Sequence, residues 1–449
     1  MSDSAAFIAA TRFGMGAGQG ELASIGREPR GWLEAQLAPA ALPPQLALLP
    51  PTPELAQRFA ELRAERKAEK QADPAAQADE KTKGEIRALY LADAAARTRQ
   101  AITTPTPLTE RLVQFWSNHF TVSTARPVVA PLAGAFEREA IRPNVTGHFY
   151  DLLRAVVRHP AMLLYLDNAV SLGPDSVAGQ RRQKGLNENL ARELLELHTL
   201  GVDGGYGQGD VEQLARILTG WTIGNERQGA VGAFLYQPRF HQPGAKRLLG
   251  VDFTEAGQAE GERALLMLAR HPATAHFVAT KLVRHFVADD PPAAAVEAVA
   301  RSFRDSDGDL AVVTKTVINR PEAWAEPLAK IKTPNDFVVS TLRAVDVPPI
   351  EDKKLVRSLA LLGQAPFTAP SPAGWPDRAE AWMGPEALMR RLEWARDVAS
   401  KLPRTDVLVL AEQSLGPLLD ASTRQAIGGA ADSAEALVLL LASRPFQRR

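Results

Sequence analysis

Apolar residues recur three and four positions apart along most of this chain, and the strict alternation that makes strands is almost absent. The period of an apolar pattern decides which element can bury it. We therefore expect an all-α fold, a multi-helix globular bundle with long loops. One exception is expected: a short β-hairpin near 230–250, inside the Gly-, Pro- and aromatic-rich run from Thr222 to Gly250.

With 449 residues the chain has room for about three domains, and it can bury a large core without covalent staples. We divide it into an N-terminal helical region at 1–104, a central helical core at 105–330 and a C-terminal helical region at 331–449. Pro105 and Pro107 mark the first boundary. Within the first region, residues 54–103 follow a helical pattern. Ala64 to Glu85 is mostly Ala, Lys, Glu, Gln and Asp. That segment reads as a solvated helical hairpin turning near Asp73-Pro74, or as partly disordered chain.

Lys and Arg together number 52, as do Asp and Glu. This balance weighs against a nucleic-acid partner, which a basic excess would attract. There is no cysteine, so thiolate catalysis, disulfides and zinc–sulfur sites are excluded. No run approaches the ~18–20 apolar residues of a membrane span. Asp3 stands where a signal peptide needs positive charge. A cytoplasmic location is the default expectation, with a periplasmic one left open.

Thr109 is placed to cap a helix that runs to about Thr121, with Leu112, Phe115, Trp116, His119 and Phe120 on one face. Further helices are expected at about 132–140 and 146–158. A basic loop with Arg181, Arg182 and Lys184 follows. The densest chemistry lies in Gly185 to Trp221. Asn187 is expected to cap a helix to Leu200, Gly201 to end it in a left-handed turn, and Asp210 to cap a helix from Val211 to Thr219. At 100° per residue, Glu188, Asn189, Arg192, Glu193 and Glu196 share an arc of about 140°. His198 falls on the apolar side.

Two readings of that arc stay open. One is a solvated face laced by Glu188–Arg192 and Arg192–Glu196 pairs. The other is a buried polar site in which Arg192 orients carboxylates, with Glu193 or Glu196 as a base if burial raises its pKa.

All eight histidines lie between His119 and His285. His119, His198 and His285 sit on apolar faces and read as hydrogen-bonded core residues. His159 and His271 precede prolines and read as helix caps. His241 sits in the loop HQPGAK with Lys246, where packing does not explain it, and reads as a site residue.

A candidate metal set is His119, Glu193, Glu196 and His241, with His198 as a further imidazole. Such ligands suit non-haem iron or zinc, although no H-E-x-x-H motif is present. Asn189 and Trp221 are candidate substrate contacts, and Lys246 or Arg192 would hold a negative group. A divalent metal is thus a candidate cofactor, and a small molecule or peptide a candidate substrate. Residues 305–309, DSDGD, do not complete a calcium loop. Its glycine position is Leu310 and its final carboxylate position is Thr316.

Several segments resemble a known family. They are FWSNHF (115–120), NENLARELLELHTLGVDGGY (187–206), DVEQLARILTGW (210–221), HQPGAKRLLG (241–250), HPATAHFVATKLVRHFV (271–287) and PSPAGWP (370–376), with RFGMG (12–16) as the opening. Together they are similar to the bacterial "domain of unknown function 1800" family over essentially the whole chain. That family usually reads Phe-Trp-His-Asn-His-Phe in the first segment. Here Ser117 replaces the first His and His119 stays, so a metal role that needed both would be incomplete. The resemblance implies a fold and a site location, not a reaction. Two functions are carried forward: a metal-dependent or acid–base enzyme, and a non-catalytic helical scaffold that binds a protein partner.

Overall fold

A computed structural model describes residues 4–26, 28–72, 78–182, 185–226, 228–345, 350–402 and 405–449. The expected turn at Asp73-Pro74 and the basic-loop residue Lys184 lie outside them. The fold is mostly helical, with two short antiparallel sheets of two strands each. No helix among the described residues is long and apolar enough to cross a membrane.

The charged segment is two long helices, Thr52–Ala72 and Ala78–Thr103. They run antiparallel, joined by Arg58–Glu85 at 2.7 Å and Lys81–Glu65 at 3.4 Å, over a few buried leucines such as Leu55 and Leu62. The Pro107–His119 helix buries Leu108, Leu112, Phe115, Trp116 and His119. It starts earlier than Thr109 because Pro107, already fixed at a helical φ, occupies its first turn. The Thr109 hydroxyl instead donates to the Gln36 carbonyl.

The central helix departs most from expectation. An ordinary α-helix covers only Asn189–Glu193, and a π-helical turn follows at Leu194–His198. The Thr199 hydroxyl donates to the Leu194 carbonyl at 2.6 Å, five residues back, matching the wider turn. Gly201 ends the segment at φ +83°, as expected. A Cβ there would lie 2.7 Å from the Phe277 ring. Asp210 is not the cap of the next helix, Gln208–Leu218. It lies in the first turn and accepts from the Gly207 and Leu249 amides.

The single expected hairpin is two. β1 (Trp221–Ile223) pairs with β2 (Phe234–Tyr236), and β3 (Lys246–Leu248) with β4 (Val251–Phe253). Leu249 and Gly250 both adopt positive φ between β3 and β4, the twist a two-residue hairpin requires. His159 and His271 cap the helices that begin at Pro160 and Pro272, each accepting an amide on Nδ1. Asp309 caps Leu310–Asn319.

A large apolar core gathers side chains from Ile8 to Ala323, and a second gathers Phe7 with residues from Phe337 to Phe446. Residues 330–332 are extended because they pair with the chain end: Ile331 bridges to Arg448, and the Lys330 and Lys332 amides donate to the Arg449 and Gln447 carbonyls. Charged side chains are buried where the two cores meet, among them Arg12, Arg111, Lys330, Lys332, Asp336 and Arg449.

Candidate functional site

A cavity of about 340 Å³ opens at this seam. Three elements supply the groups that matter: the Pro107–His119 helix, the Pro272–Phe286 helix and the loop 364–378. Lys281, Arg284 and His285 all line the cavity because positions i, i+3 and i+4 share one side of a helix. The loop is held to the opposite wall by Asn118. Its amide donates to the Trp375 carbonyl at 2.9 Å and its Oδ1 accepts from the Trp375 amide at 2.7 Å.

Gly374 permits this approach. Its φ is +81°, and a Cβ would fall against the Asn118 carbonyl oxygen. Gly374→Ala is therefore expected to cost about 1–3 kcal/mol from backbone strain alone and to expose the loop to protease. Unchanged denaturant midpoint and cleavage pattern would show that the loop is not held this way.

The loop also delivers Asp377. Its Oδ2 lies 2.7 Å from His285 Nδ1, and its Oδ1 lies 3.1 Å from Lys330 Nζ. Desolvation works against ionising Asp377, yet His285, Lys330 and Arg449 hold it well below the usual carboxylate range. Burial pushes His285 down to about 4, with Arg449 and Arg111 acting the same way against the pull of Asp377. The carboxylate is ionised and the imidazole neutral at pH 7. An ionised carboxylate only accepts, so Nδ1 carries the proton and Nε2 the lone pair. Nε2 is buried without a hydrogen-bond partner among the described residues.

His119 Nε2 donates to the His198 carbonyl at 3.1 Å, and its Nδ1 has no partner. Burial, then Lys281, then His198 push it well below its ordinary pKa. Lys281 is pushed down to about 8 by burial, aided by Arg284 and opposed by Asp377. Asp336 receives Arg111 at 3.2 Å and Arg449 at 3.1 Å. Against desolvation, those two cations bring it down to about 2.

A family model described as "Protein of unknown function (DUF1800)" matches residues 8–448. The chain belongs to the DUF1800 family. No curated protein and no solved structure matches it. Three of the segments that carry the family resemblance, 115–120, 271–287 and 370–376, contribute to this cavity of the DUF1800 chain. At the family's substituted position, the Ser117 hydroxyl donates to Glu137, which Arg97 also holds.

The residues singled out from sequence fall into three groups. His119 lines the cavity. His241 and Lys246 meet around Glu260, far inside the protein: Lys246 Nζ lies 3.1 Å from Glu260 Oε2, as does His241 Nε2. Trp221 is buried against Gly261, the residue after Glu260 in the chain. The third group is the central helix. Asn189 is exposed, while Arg192, Glu193 and Glu196 are half-buried. Arg192 pairs with Glu188 at 2.9 Å and with Gln208. Half-burial, then Glu196, raise the Glu193 carboxyl above its ordinary value.

No hydrogen bond or ion pair joins the three groups among the described residues. No group of three or more His, Asp or Glu among those residues is placed to hold a metal ion. His119, Glu193, Glu196 and His241 are therefore not a preassembled ligand set. Sequence reasoning did not single out Lys281, Arg284 or Asp377, and it assigned His285 to the core. The signal was present in KLVRH, residues 281–285, whose three basic groups stand at one-turn spacing. Asp377 follows directly on the PSPAGWP segment.

Proposed function

We propose that this protein is an acid–base enzyme whose small-molecule substrate occupies the cavity, with His285 as the proton-transferring group. One observation carries the reading. His285 binds a buried carboxylate through Nδ1 at 2.7 Å and keeps an unpartnered Nε2 on a residue that lines the cavity. A carboxylate on one nitrogen fixes the tautomer and leaves the other free to take a proton. Among the described residues, no serine hydroxyl is bonded to His285. The Ser117 hydroxyl is spent on Glu137. The chemistry that fits is proton abstraction from the substrate or activation of a water, not acyl transfer through the chain.

Long-range nitrogen–proton correlation spectra should find His285 protonated at Nδ1 and bare at Nε2. In a screen of small carbonyl acids and esters, His285→Asn should lower turnover by about 10²–10⁴-fold without changing the melting temperature. Protonation at Nε2, or full turnover in the variant, would end the reading.

A further inference from the structure

The cavity's charges do not balance. Its carboxylates are both engaged, Asp336 by Arg111 and Arg449, Asp377 by His285 and Lys330. Of its cations, Arg97 pairs with Glu137 and Arg378 with Asp290. Two are left over. Lys281 makes no hydrogen bond or ion pair among the described residues, and its Nζ lies 5.5 Å from the centre of the Phe277 ring. Among the described residues Arg284 makes one weak bond, from Nε to the Asp289 carbonyl at 3.3 Å, and its terminal nitrogens make none.

Lys281 and Arg284 are half-buried, and withdrawing a cation even partly from water without a counter-charge is costly. The neighbouring imidazoles are neutral and add no negative charge. A guanidinium and an ammonium one turn apart present a fork and a point charge to the same space.

We infer that the ligand of this cavity carries an oxyanion, a carboxylate or a phosphate, seated between Lys281 and Arg284 beside His285. The inference rests on reading the cavity as the substrate site and does not depend on proton transfer. Its consequence reaches His285. Arg449 and Arg111 bear on the imidazole with positive charge, and Asp377 offsets it through a hydrogen bond and its own charge. An added oxyanion favours the imidazolium, so the ligand itself moves His285 toward the range where it can accept a proton.

The test uses the full chain and two probes, inorganic phosphate and acetate, with acetamide as the neutral control. One oxyanion should raise the melting temperature saturably and acetamide should not. Which of the two does so identifies the class. Lys281→Met and Arg284→Met should each weaken that binding at least tenfold, Lys281→Arg should restore most of it, and His285→Asn should stay within about threefold of wild type. The bound oxyanion should also move the His285 titration upward.

Loss of binding in Lys281→Met with full turnover in His285→Asn would sink the acid–base reading and leave this one standing. Wild-type binding in the two Met variants would sink this one alone. So would failure of both oxyanions to bind wild type.

Discussion

Asp336→Ala is expected to lower the stability of the protein by about 3–5 kcal/mol, because it strands two buried guanidinium groups. The Asp336 side chain is 6% exposed, Arg111 is 3% and Arg449 is 1%. Arg111 keeps bonds to the Gly14 and Thr11 carbonyls, and Arg449 to the Arg12 and His285 carbonyls. Those dipoles do not replace a full negative charge.

The pH dependence has a definite sign. The folded pKa of Asp336, about 2, lies below its ordinary value. Its contribution is therefore complete above the ordinary carboxylate pKa and fades as pH falls toward 2. Denaturant titrations at pH 7 and pH 3 should show a large gap between wild type and variant that narrows in acid. A gap under about 1 kcal/mol at pH 7, or one that does not narrow, would show that the pair is not coupled as described.

Lys246→Met should produce the second large loss, again about 3–5 kcal/mol. Glu260 is fully buried, and its Oε1 has no partner. Lys246 Nζ donates to its Oε2 and to the Gln242 carbonyl and lies 3.2 Å from His241 Nε2. Removing the ammonium leaves a carboxylate in the core. The double variant Lys246→Met/Glu260→Leu should lose less than the single one, since removing both charges removes the desolvation cost along with the attraction. Calorimetry decides it. A double variant as unstable as the sum of the singles would show that the two side chains act independently.

What the sequence disclosed depended on range. Periodicity carried the fold class, because helical burial is written in spacings of three and four. Local chemistry carried the proline-preceded caps at His159 and His271 and the left-handed Gly201. The hairpin count missed one, because strands of three residues are too short for alternation to register. The site was harder. His241 and Lys246 were legible as unusual, but their partner Glu260 sits on a helix 14 residues further on, where nothing local marks it. His285 looked like core because its neighbours are apolar. Its partner Asp377 arrives from 92 residues away, a distance no local pattern spans.

The widened turn at Leu194–His198 has an arithmetic of its own. It holds one residue more than an ordinary winding, so everything after it is displaced by about 100° around the axis relative to a uniform coil. Deleting any one residue from 194–198 would let the coil close up and swing the later positions back by that amount. His198 lies on the apolar side of a uniform coil as well, so the surplus residue re-aims what comes after it, from Thr199 to the left-handed Gly201.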